Sequence, residues 1–206
     1  MLKVFFGVSL GIATLLYPVM VFAGMQYFEP VYVALVMLII VTLKLFSQKA
    51  LLKKLPWLKL TSVVGIACLI FSIFEQSAKG ILFYPVLINC AMLAVFGYSL
   101  IKKPTVVETL ARLSEPDLDE NGVKYTEKVT KVWCLFFSVN GGIAAITAMY
   151  YSLEVWTLYN GLIAYIAMGL MMGVEWIVRQ VVRKRNANAA SEHVIRSKQG
   201  VSETHG

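Results

Sequence analysis

Residues able to do chemistry are few in this sequence. His193 and His205 both lie in the polar C-terminal stretch, away from the apolar runs where a membrane-embedded imidazole pair would have to sit to hold a haem or a metal ion. Cys68, Cys90 and Cys134 form no C-x-x-C pair and fall within or at the edge of apolar runs. They read as small packing residues, not as disulfides or a redox motif. No G-x-G-x-x-G, Walker or H-E-x-x-H pattern occurs, so the sequence carries no signature of dinucleotide, P-loop or zincin chemistry. No catalytic, cofactor-binding or metal-ligating residue is expected.

What remains is two sets of polar side chains. Asn89 is tenth in an uncharged run of 22 residues, and Asn140 is ninth in another of 22. An amide at such depth in hydrocarbon needs a partner. It either hydrogen-bonds another amide or a backbone group and locks two helices, or it meets the polar part of a lipid-like ligand. Tyr159 and Asn160 fall near the outer end of the last apolar run, and Glu175 near its inner end. Glu175 stands one turn before Arg179, placed for an i,i+4 pair or, if buried, for a proton-responsive role. Asn89, Asn140, Asn160 and Glu175 form the candidate intramembrane polar site. The second set is Glu115, Asp117, Asp119 and Glu120, four acids within six residues. They lack the spacing of a calcium loop, and Pro116 with Asn121-Gly122 suits turns. This segment is the candidate docking loop.

These groups need elements to position them, and composition says which kind. Of 206 residues 58% are apolar and 15% charged, and the mean hydropathy is +0.70. A soluble domain needs about a quarter charged residues to cover its surface, so a water-facing exterior is excluded for most of the chain. The expected fold is an all-α integral membrane protein. Cutting at the charges, and extending three runs by a snorkelling Lys44, an interfacial Trp57 and an interfacial Glu175, yields six spans at about 4–25, 30–46, 57–74, 80–101, 132–153 and 155–178, the third near the lower limit for crossing a roughly 30 Å hydrocarbon layer. A barrel would need shorter strands of alternating polarity. Residues 102–131 form a loop with a short helix expected between Thr105 and Leu113. Residues 179–206 form a basic polar tail, expected to be disordered.

The net charge of +7 tests this threading. With the N-terminus in the cytoplasm, every Lys and Arg except Lys79 falls on the cytoplasmic side, as the positive-inside rule requires. Both termini are therefore expected inside, and the basic balance points to a membrane face, with no nucleic-acid partner. A five-span alternative drops the second or third segment and inverts every later loop. A cleaved first segment is a further alternative, with Val21 and Ala23 as the small residues before the cut, although the apolar run is long for a signal peptide.

Pro18 and Pro85 fall inside spans and are expected to kink them, as simple bends or as broken-helix substrate sites. Gly7 and Gly11, the row Gly161, Tyr165, Gly169 and Gly173, and the weaker row Gly141, Ala145 and Met149 mark faces for close helix contact. Such faces serve packing within one chain or a dimer.

Several stretches resemble an uncharacterised family of bacterial inner-membrane proteins found beside aryl-polyene and related fatty-acid-like pigment synthesis genes. They are ARLSEPDL, GVKYTEKVTKVWCLFFSVNG, VWTLYNGLIAY and GVEW, and the resemblance is closest over residues 98–185. KKP at 102–104 and the order Trp133, Phe136, Phe137, Asn140, Gly141 are more distantly similar to the intracellular septation protein A family. This chain departs from that second family in its EPDLDE stretch and longer basic tail. The resemblance implies a bacterial inner membrane and an envelope or polyene-lipid context, and implies no catalytic mechanism. The resulting expectation is a non-enzymatic accessory or scaffold protein that contacts membrane lipid and lipid- or polyene-synthesis proteins. A lipid transporter and a lipid-modifying membrane enzyme are the alternatives. A polar cavity joining the three asparagines would favour transport, and carboxylates converging on a metal would favour an enzyme.

Overall fold

The computed structural model describes residues 16–47 and 57–180. Residues 4–15 of the first expected span with Gly7 and Gly11, the basic loop at Lys49, Lys53 and Lys54, and the tail with His193 and His205 lie outside the described residues. All regular structure among the described residues is helical, with no strand. The helices are α1 (Tyr17–Tyr27), α2 (Pro30–Ser47), α3 (Trp57–Phe74), α4 (Lys79–Ile101), α5 (Val106–Arg112), α6 (Glu120–Tyr150) and α7 (Leu153–Gln180).

Three of them, α4, α6 and α7, are long and apolar enough to cross a membrane. α2 and α3 are apolar and 18 residues each, about 27 Å at 1.5 Å per residue. Large apolar side chains cover the outside, among them Ile101 at 84% exposed and Leu135 at 65%. In water such continuous apolar surface would drive association, whereas hydrocarbon accommodates it. The chain divides into two compact units, Met1–Ala164 and Tyr165–Gly206. The second unit contributes the described helical stretch 165–180, in which Leu170 and Trp176 are exposed.

Pro18 does not kink a helix interior. Leu16 leaves helical geometry (φ −85°, ψ 5°), and Pro18 sits in the first turn of α1, where its missing N–H interrupts no intrahelical bond. Pro85 does lie inside α4. The main core of the first unit joins α1, α2, α3, α4 and α7 through Tyr17, Val21, Ala34, Leu69, Ile81 and Trp156. Tyr17 meets the rings of Tyr84 and Trp156 edge-on, at 5.1 and 6.3 Å.

Helices α3 and α4 form a tight hairpin. At the end of α3, Ser77 N–H donates to Ser72 O (3.2 Å) and Gln76 N–H to Ile73 O (3.3 Å). This paired pattern is a Schellman cap, and it needs a left-handed residue at Gln76, whose φ is 50°. A side chain at that conformation costs about 1 kcal/mol relative to Gly. Gln76→Gly is therefore expected to stabilise the folded protein by up to about 1 kcal/mol, read as a shifted midpoint of unfolding in mixed detergent micelles; an unchanged or lowered midpoint would contradict the cap.

Helix α6 starts twelve residues before the expected span at 132. Asp119 caps it, its carboxylate accepting from Gly122 N–H (2.8 Å), and the i,i+4 pairs Glu120–Lys124 and Glu127–Lys131 follow at 3.0 and 2.9 Å. Charge interrupts a hydrocarbon run but does not interrupt a helix, so α6 extends beyond the expected span into the segment 102–131. The other end also moves: α6 stops at Tyr150 and α7 starts at Leu153, in place of the expected 153 and 155.

Candidate functional site

The candidate polar residues are positioned by three helices. In α4, Pro85 has no N–H and disturbs the turn before it. Two side chains meet the carbonyls of this region: Asn89 Nδ2 donates to Pro85 O (2.8 Å) and Trp156 Nε1 donates to Leu82 O (3.1 Å). In α6, Gly141 permits the approach of α4, because a Cβ there would lie 2.9 Å from the Cβ of Asn89. That closeness brings Asn140 Nδ2 to Asn89 Oδ1 at 3.1 Å.

Tyr159 completes the chain. Its hydroxyl donates to Asn140 Oδ1 at 2.9 Å, giving a continuous path from the hydroxyl through two amides to the Pro85 carbonyl. Tyr159 opens a π turn, Tyr159–Ile163, closed by Ala164 N–H to Tyr159 O. Tyr159 and Asn160, at the start of this wide turn, both meet α6. Asn160 does not join the path. Its Nδ2 donates to Trp156 O (2.9 Å) and lies 3.4 Å from Thr147 Oγ1. Gly161 lies against Pro18 of α1, with 3.2 Å between a Cβ built at Gly161 and the Pro18 Cβ. Glu175 belongs to the second compact unit and is half-buried there.

The acidic loop divides by role. Asp119 is the cap of α6 and Glu120 pairs with Lys124. Asp117 is exposed and Glu115 is half-buried. Sequence reading passed over the charges that order this segment. Thr105 caps α5 by accepting from Glu108 N–H (3.2 Å). The buried Glu108 carboxylate is met by Arg112 (2.9 Å), and Arg112 also donates to Pro116 O (3.0 Å). Lys103 reaches Glu127 on α6 (2.6 Å). The Lys103 ammonium, followed by that of Lys131, holds the Glu127 carboxyl down at about 2, so this latch on the pre-span part of α6 stays ionised at any physiological pH. The i,i+4 spacing of Glu108 and Arg112 was a usable signal; the 24-residue separation of Lys103 and Glu127 was not.

Among the described residues no three His, Cys, Asp or Glu side chains gather around a common centre. A groove of 460 Å³ between α1 and α2, with Met20, Phe28, Tyr32 and Val36 in its walls, is apolar and touches none of the three asparagines. Compared with known proteins, the chain matches no family model, no curated protein and no solved structure.

Proposed function

We propose that this chain is a six-span bacterial inner-membrane protein with both termini in the cytoplasm, acting as a non-enzymatic accessory or scaffold in the synthesis or handling of an acyl or aryl-polyene lipid. The observation that carries this reading is where the polar groups are used. The deep amides bond to the protein itself, linking α4, α6 and α7, as in a bundle built for rigidity. The charged groups gather instead on α5 and the pre-span part of α6, an ordered platform with Glu115, Asp117, Asp119 and Glu120 at its tip. The distribution of Lys and Arg supports the orientation, and the resemblance to the pigment-cluster family supplies the pathway context. Protein partners at the tip are lipid- or polyene-synthesis proteins, recruited in part by charge.

Replacing Glu115, Asp117, Asp119 and Glu120 by Gln, Asn, Asn and Gln tests the docking role. Asn at position 119 keeps the helix cap, so folded yield is expected to match wild type while in-cell cross-linking to a neighbouring protein falls severalfold. Recovery of every neighbour at the wild-type level by quantitative mass spectrometry would remove the docking role from the loop.

A further inference from the structure

Helix α5 turns back toward the bundle after α4 has ended. The backbone N–H of Val106 donates to Ser99 Oγ (3.1 Å), and the Ser99 hydroxyl donates to Phe96 O (2.7 Å). Val106 packs with Phe96 and Phe137. Phe96 lies five residues before the end of α4 at Ile101, and Phe137 lies five residues past Val132, where the uncharged run of α6 begins. At 1.5 Å per residue both are about 7–8 Å inside their apolar runs. The first turn of α5 therefore lies level with the edge of the apolar layer, not out beyond it.

The charges of α5 are arranged for that depth. Glu108 is 6% exposed and bonded by Arg112, which also holds Pro116 O. These two opposite charges face the protein and each other. A separate face is uncharged: Leu110 is 41% exposed and Leu113, the C-cap residue three positions on and still in helical geometry, is 58% exposed. Residues three apart share a helix face. Lys102 and Lys103 stand exposed at the turn that leads into α5.

From this we infer that α5 is an interfacial helix resting on the phospholipid surface, with Leu110 and Leu113 entering the boundary between headgroups and acyl chains and Lys102 at the level of the phosphates, while Lys103 stays paired with Glu127. An uncharged leucine face beside a cationic turn is the pattern that binds a bilayer surface. The segment from 102 onward is then a membrane-bound collar first, and only its acidic tip projects into water. This rests on reading α4 and α6 as membrane spans.

The test uses the full chain with Cys68, Cys90 and Cys134 changed to Ala, in nanodiscs of phosphatidylethanolamine and phosphatidylglycerol. Single cysteines replace Leu110, Leu113, Asp117 and Leu135 in turn, all at exposed positions. Alkylation by a membrane-impermeant maleimide is expected to be at least tenfold slower at 110 and 113 than at 117, and slowest at 135. A fluorophore at 110, 113 or 135, but not at 117, is expected to be quenched by lipids brominated on the acyl chain, a positive signal that slow labelling alone cannot mimic. Labelling at 110 and 113 as fast as at 117, without quenching, while 135 stays protected and quenched, overturns the interfacial helix and leaves its leucines to a water-borne partner. Rapid labelling and no quenching at 135 overturns the spanning reading of α6 itself, and the inference with it.

Discussion

Asn140→Leu is expected to be the most damaging substitution among the asparagines, because Asn140 both donates to Asn89 and accepts from Tyr159. Its loss leaves the Asn89 carbonyl and the Tyr159 hydroxyl without those bonds. A buried polar group left unpaired costs about 1–3 kcal/mol, and the membrane value falls toward the low end because separated helices also find partners. A total of about 2–3 kcal/mol is expected for Asn140→Leu, with less for Tyr159→Phe, which orphans only one acceptor. The path also sets how the changes combine. Asn89→Leu with Asn140→Leu still strands the Tyr159 hydroxyl, whereas adding Tyr159→Phe removes the last stranded member. The triple variant should therefore unfold later in a denaturing-detergent titration than Asn140→Leu alone. Three strictly additive losses would show that these residues do not act as one hydrogen-bonded unit.

Gly80→Ala is expected to cost at least as much, for a steric reason. A Cβ at Gly80 would overlap the Cys68 carbonyl oxygen and lie 2.9 Å from the Ser72 Cβ. The first of these is backbone within a helix, and Ser72 is itself held by its hydroxyl bond to the Ser77 carbonyl. Neither can swing aside as a flexible side chain would, so α3 and α4 must separate. Overpacking of this kind costs about 1–3 kcal/mol, and a backbone obstacle places Gly80→Ala toward the upper end. Gly97 in the same helix has nothing within 4 Å of a Cβ. Gly97→Ala should be neutral or stabilising by up to about 1 kcal/mol, since Ala is the better helix former. Equal unfolding midpoints for the two variants would refute the close approach of α3 to α4.

Some of this architecture was legible in residue order because its cause is local along the chain. The bounds of α4 can be read from an uncharged run to within a residue, and those of α2 and α3 once Lys44 and the stretch from Trp57 through Lys59 are admitted at their ends. The same counting puts Asn89 and Asn140 near the middle of their uncharged runs. The start of α6 cannot be read that way, because a helix can continue through charged residues when a cap and i,i+4 pairs sustain it. The signal was present in Asp119, Glu120 and Lys124, but a rule based on hydrophobicity passes over it.

What counting could not reach was which side chains meet. Extrapolating a face at 3.6 residues per turn fails across the π turn Tyr159–Ile163, which holds an extra residue. Tyr159 joins the asparagine path, whereas Asn160 bonds to Trp156 and approaches Thr147. Glycine meaning was likewise decided in three dimensions: Gly80 and Gly141 permit backbone approach, whereas Gly97 faces open space. The loop shows the same division. Its acids and bases are visible in the sequence, but only packing of Val106 against Phe96 and Phe137 sets the depth of α5, and only the fold brings Lys103 to Glu127. The sequence by itself determined the helical class and the apolar character of the long helices α4, α6 and α7, because these depend on consecutive residues along the chain. The tertiary structure decided the partners, because in an apolar medium they are selected by shape and hydrogen-bond geometry between distant segments, and neither is encoded in residue spacing.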